Sequence, residues 1–112
     1  MNNMLVVPSS QIANREIIQH LGLVRGNTIR ARHLGKDILA SLRNLVGGEI
    51  HEYTKLMAES REQAIDRMID EAKSLGADAI IDVRFTTSMV AQSAAEILVF
   101  GTAVKLEPEI EG

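Results

Sequence analysis

The chain has 112 residues, 46% hydrophobic and 24% charged, the composition of one folded domain with a core rather than of a disordered segment. Its net charge of -3, pI of about 5.6 and aromatic share of only 3% disfavour general nucleic-acid binding, which calls for a basic surface and rings that stack on bases. There is no cysteine, which excludes disulfides, thiolate metal sites and thiol catalysis.

From the start, Met1 to Pro8 lacks the basic n-region and long apolar run of a signal peptide, and no stretch is long and apolar enough to cross a bilayer. The expected setting is the cytosol, with neither membrane nor nucleic acid as partner. The short apolar run Met4 to Val7, closed by Pro8-Ser9-Ser10, predicts a first short strand. Arg15 to Arg25 then alternates, with Ile17, Gln19, Leu21 and Leu23 opposite Glu16, Ile18, His20 and Val24, which is strand periodicity with both faces partly apolar. Gly22 suggests a bulge. Gly26-Asn27 allows either a hairpin into residues 28 to 32 or one continuous strand.

Ile38, Leu39, Leu42, Leu45 and Val46 recur at helical spacing, predicting a short helix from Lys36 to Val46 that Gly47-Gly48 stops. A long amphipathic helix is expected from Tyr53 to Leu75, carrying the stripe Met57, Ser60, Ala64, Met68 and Ala72. Arg67 and Glu71, four apart, are placed to pair weakly, and Gly76 sits where a left-handed residue closes the helix. Two strands follow. Ile81, Val83, Phe85, Thr87 and Met89 share one face of the first, opposite Ile80, Asp82, Arg84, Thr86 and Ser88. In the second, Leu98, Phe100, Thr102, Val104 and Leu106 oppose Ile97, Val99, Gly101 and Ala103, with Ala91 to Ala95 as the hairpin loop. The whole is an α+β two-layer sandwich in one domain spanning residues 1–112: an antiparallel sheet, one long helix and one short helix.

The last strand is apolar on both faces. A sheet covered by helices on one side should be polar on the other, and large bare apolar patches mark interfaces. Burying four such side chains contributes on the order of 6–12 kcal/mol before entropic costs. Homo-oligomerisation is therefore expected, and a charge in place of Val99 is expected to dissociate the assembly. The competing expectation is that the short helix covers the second face within the same chain.

Candidate chemistry is sparse. His20, His33 and His51 form no paired-histidine motif; His51 and Glu52 alone supply adjacent N and O donors for a metal at the surface. Arg30 and Arg32 lie in a local basic cluster, and Gly47 and Gly48 precede the long helix, whose free N–H groups suit an anion. No nucleophile, base and oxyanion donor assemble into a catalytic set, so no enzyme activity and no cofactor are expected.

Several motifs carry a resemblance: Asp37, Ala40-Ser41-Leu42-Arg43-Asn44, Val46-Gly47-Gly48, Tyr53, Ala58, Arg61, Ala64, Leu75-Gly76-Ala77-Asp78-Ala79 and Gly101-Thr102-Ala103-Val104. In this combination the chain resembles the YbjQ family, small bacterial and archaeal proteins labelled "putative heavy-metal-binding". The resemblance implies a dodecin-like β-α-β-β subunit assembled into a homo-oligomeric ring, a pentamer. The function expected is that of a non-enzymatic binding or scaffold protein, the alternative being a binder of small-molecule anions or metal ions at inter-subunit sites. The chain departs from the family pattern after the glycine pair, where Glu49-Ile50-His51 replaces the basic residue common there.

Overall fold

A computed structural model describes residues 4–31, 48–91 and 94–108. The helix expected from Lys36 to Val46, and with it Arg32, His33 and Gly47, lies outside the described residues. The elements in chain order are β1 (Leu5–Val6), β2 (Ile17–Ala31), α1 (Gly48–Ser74), β3 (Ala79–Ala91) and β4 (Ala94–Leu106). The sheet runs β1-β3-β4-β2. It is mixed rather than wholly antiparallel, because β1 pairs parallel with β3, while β4 pairs antiparallel with both β3 and β2. Strand β4 is thus inserted between two strands joined through the helix, the arrangement of a split β-α-β unit.

β2 is one continuous strand of 15 residues, with no hairpin at Gly26-Asn27. Asn27 pairs with Leu98 as the ladder continues unbroken to Ala31. Its register shifts between Ile17 and Gln19 and between His20 and Gly22, where Gly22 takes a φ of 126°, so the expected bulge is present. A helix-side packing reason underlies Gly26: a β-carbon there would collide with the Ala64 carbonyl oxygen and crowd the Met68 nitrogen. The helix backbone lies directly on the strand at this point.

α1 begins at Gly48, five residues before the expected start. Gly48 is thus the first residue of the helix rather than a residue ahead of it. Ser60, Ala64, Met68 and Ala72 are buried at successive turns against Val24, Ile97, Val99 and Ala103. Small residues on that stripe permit the close approach at Gly26. Gly76 follows with a φ of 77°, ending the helix as expected.

Two corrections concern the sheet faces. Ile81 does not share the face of Val83 and Phe85: the register shifts between Ile81 and Arg84, and Asp82 sits at a φ of 54°. The inserted residue turns Ile80 and Val83 toward the helix and Ile81 to the opposite face with Ala79, Val104 and Leu106. That second face is covered near this end by Val7 and Ile12 of the N-terminal segment, beside Ile17 at the start of β2, a cover absent from the sequence expectation. Val99 is fully buried under the helix, so a charge there would strike the core rather than an interface.

Candidate functional site

The residues singled out from sequence do not form a described site. Arg30 stands near the end of β2 opposite Ala95, and Gly48 opens α1; Arg32 and Gly47 are outside the described residues. His51 and Glu52 fall within the first turns of α1 rather than ahead of it. Among the described residues no group of three or more His, Cys, Asp or Glu could hold a metal ion.

Two other regions stand out. The first is the far half of the sheet. The helix packs chiefly on β2 and β4 and barely on β3. Phe85, paired with Val99, and Met89, paired with Ala95, therefore lie on the helix side of the sheet yet stay 45% and 61% exposed. On the opposite face Leu23, paired with Thr102, and Ile29, paired with Glu96, are 67% and 56% exposed, beside half-buried Leu98 and Phe100. Arg25, Arg84 and Glu96 interleave with these apolar residues, and Asn27 donates to the Glu96 carboxylate at 3.0 Å. This surface joins oil with charges of both signs. Sequence alternation located the two-sided apolar strand but not its uncovered part, because that depends on where the helix axis crosses the sheet.

The edges of the sheet differ too. On β2 the Arg25 N–H donates to the Glu71 carboxylate at 2.8 Å, and the Arg67 guanidinium donates to the Asn27 carbonyl at 2.6 Å. The two helix residues expected to pair with each other instead close the edge of β2. On β3, the N-terminal segment pairs as far as the bulge: Val7 donates to the Ile80 carbonyl at 3.0 Å, Val83 to Val7 at 3.1 Å and Asp82 to Ser9 at 3.0 Å. From Arg84 to Ala91 the described residues show no further strand alongside.

The second region is a cleft of about 330 Å³ between the loop after β1 and the start of β2. Ser10, Gln11, Arg15, Glu16 and His20 supply its polar wall, and Ile12 and Ile17 its apolar floor. The loop is held at both ends. Ser10 Oγ donates to Asp82 Oδ1 at 2.7 Å and Arg84 donates to the Pro8 carbonyl at 2.8 Å. At the other end the Glu107 N–H donates to the Glu16 carbonyl at 2.8 Å, and Arg15 Nη2 reaches the Glu107 carbonyl at 3.4 Å. Asn14, at a φ of 63°, turns the chain between them, closed by the Ile12–Arg15 bridge. Sequence reading gave His20, Ser9 and Ser10 no role. The available signal was the run of turn formers from Pro8 to Asn14, which builds a shaped loop rather than a plain connection.

Comparison with known proteins places these features in a family. The family model described as "putative heavy-metal-binding" matches residues 4–107. A UPF0145 protein of Halorubrum lacusprofundi is 60% identical over 98 residues, covering 88% of this chain and 94% of that protein. One from Methanosarcina acetivorans is 54% identical over 103 residues, covering 92% and 97%. Among solved structures, a protein of unknown function from Pediococcus pentosaceus, assigned to the DUF74 family, superposes with a TM-score of 0.65. It covers 95% of this chain and all of its own at 15% identity, a likeness of fold alone. No described helix is long and apolar enough to cross a membrane.

Proposed function

This chain belongs to the YbjQ (UPF0145) family, and on that premise we propose that it is a cytosolic, non-enzymatic binding or scaffold protein that works as a homo-oligomer built through the far half of its sheet. One observation carries the reading: Ile29, Phe85 and Met89 are all more than two-fifths exposed, on both faces of one stretch of sheet, and Leu23 further along β2 is exposed as well. A lone soluble subunit seldom bares apolar residues so close together, and such clusters mark contacts with other chains.

A second copy is the favoured occupant because the surface is complementary to itself in kind. Arg25 and Arg84 lie on the same face as Glu96, so a copy offers both charge signs as well as apolar area. The closed β2 edge and open β3 edge also favour docking through one side of the sheet. Closed cyclic symmetry satisfies all copies at once, and the family resemblance suggests five subunits of dodecin-like type. The molecule is long for its size, 59 × 27 × 23 Å with a radius of gyration of 17.8 Å, against about 13 Å for a compact chain of this length. An extended subunit of this kind suits a member of an assembly.

The test is the mass of the full chain in solution by light scattering and native mass spectrometry. A defined oligomer is expected, which Leu23→Asp combined with Phe85→Asp reduces to folded monomer. A wild-type monomer at about 100 µM, a concentration at which even weak micromolar contacts assemble, would end the proposal.

A further inference from the structure

We infer that the open edge of β3 pairs with the same edge of a second copy of this chain, antiparallel about a two-fold axis at Thr87, so that two sheets run on as one. The inference rests on the homo-oligomer proposed above and names the contact within it that joins backbone to backbone.

The first reason is the direction of the peptide groups. In an antiparallel ladder, opposed residues are alternately bonded to each other and turned away. Val83 donates outward, to Val7 at 3.1 Å. From the other side of the sheet, Arg25 gives its N–H to Glu71 rather than to β4, so its partner Phe100 turns its groups toward β3, where it meets Arg84. Both observations give one phase. Arg84, Thr86 and Ser88 bond β4, while Phe85, Thr87 and Met89 point their N–H and C=O groups off the edge. The N-terminal segment serves that edge only as far as Val83, and no described residue bonds it beyond.

The second reason is that this edge lacks the usual protection. Natural sheets guard a free edge with charge, proline or a bulge. Phe85 to Ala91 contains no charged residue and no proline. The register shifts of β3 fall to either side, between Ile81 and Arg84 and between Met89 and Ala91. The same chain closes the opposite edge, on β2, with Glu71 and Arg67. One edge is guarded and the other is left pairable.

The third reason is that the edge complements itself. It is bounded by Val83, already bonded, and by Ala91, where β3 ends, and its midpoint is Thr87. Pairing about that point sets Phe85 opposite Met89 of the partner subunit and Thr87 opposite Thr87 of the partner subunit. Every outward-facing residue then has a bonded partner, and each pair exchanges both hydrogen bonds. The side chains agree with the backbone. Phe85 and Met89, 45% and 61% exposed on the helix side, cover each other across the axis as a ring against a thioether. On the other face Thr86 meets Ser88 of the partner subunit, hydroxyl to hydroxyl. A slip of two residues one way sets Met89 against Val83, which Val7 occupies; the other way separates Phe85 from Met89. A charge close to a two-fold axis faces its own copy, and this stretch has none. Self-pairing requires these features together, whereas an unrelated strand requires only the open edge.

Native mass spectrometry of the full chain tests this. A two-fold contact joins subunits in pairs, so the wild type is expected to hold an even number of copies, a ring of five being doubled to ten. Thr87→Pro removes an outward N–H without breaking a bond to β4, and is expected to halve the mass while keeping a cooperative melt. Thr87→Val keeps the N–H and should keep the wild-type mass. If Thr87→Pro does not fold, Thr87→Lys sets two ammonium groups face to face at the axis and should halve the mass in the same way. An odd number of subunits in the wild type, or an unchanged mass in whichever of these two variants folds, overturns the edge pairing and leaves the oligomer itself standing. A wild-type monomer ends both.

Discussion

The two ends of the sheet are built from similar strands and treated differently by the rest of the chain. At the near end, Ile80, Val24 and Ala103 lie under the helix, while Ala79, Ile81, Val104 and Leu106 lie under Val7, Ile12 and Ile17. Over β3 and β4 both faces are dry there, and Leu23 on the outer strand β2 stays exposed. At the far end the helix runs over β2 and β4 and leaves Phe85 and Met89 bare, and on the other face Ile29 is bare as well. A strand with apolar residues on both sides is therefore not in itself a sign of assembly. What distinguishes the ends is which layers the chain supplies, and the near end receives one from a segment of loop.

The sharpest way to break this comparison is to place the same charge at two points of one ladder. Val99 and Phe85 are paired across β4 and β3, the first fully buried and the second 45% exposed. Val99→Asp puts an unpaired carboxylate among Met68, Val24 and Ile97. That costs several kcal/mol, a large part of the 5–15 kcal/mol of a typical domain, so a cooperative thermal transition should be lost in circular dichroism. Phe85→Asp alone should keep a cooperative transition. If Val99→Asp stays folded and merely loses mass in light scattering, the helix does not cover β4 where the structure puts it.

That result also bears on what could be read from sequence. The order of elements, the helix stripe from Met57 to Ala72 and the end at Gly76 were legible because period and turn chemistry are local. The face assignment of β3 was not, since one residue in a left-handed conformation at Asp82 reverses everything before it, and nothing in Ile80-Ile81-Asp82-Val83 announces that. The continuous β2 was one of two open readings, settled by pairing with a strand some seventy residues away. Of the candidate site, His51 and Glu52 were expected ahead of the helix and fall within it, and the cleft at Arg15 and Glu16 was missed. It exists only because Glu107 and Asp82, distant in sequence, fix the two ends of its loop.

A medium-sized effect separates two glycines on β2. Gly26 sits under the helix, where an added β-carbon meets backbone atoms of Ala64 and Met68; Gly22 has nothing within 4 Å but holds a φ of 126°. Backbone atoms cannot rotate aside, so Gly26→Ala should lift the helix, at a cost at or above the 1–3 kcal/mol usual for overpacking. Gly22→Ala meets only backbone strain, about 1 kcal/mol. Thermal melts should order them with Gly26→Ala the lower, by about 4–8 °C for each kcal/mol that separates the two. Equal melting temperatures would mean the helix is not seated on the strand at that contact.

The smallest effect concerns the edges. Glu71 accepts the Arg25 N–H at 2.8 Å and closes one edge of the sheet, whereas β3 beyond the bulge has no such cover among the described residues. An open edge is a template for another strand, and natural sheets block it with charged side chains. Glu71→Ala frees the N–H at an exposed position where water replaces the lost partner, so stability should fall by only about 0.5–1.5 kcal/mol. Association should change more than stability does. With β2 unblocked, the variant should form species heavier than the wild-type oligomer as concentration rises, visible in sedimentation velocity, while the double variant Glu71→Ala with Phe85→Asp should still do so. If Glu71→Ala lowers the melting temperature and leaves the mass distribution untouched, the carboxylate serves the fold alone, and the asymmetry between the two edges carries no weight in choosing partners.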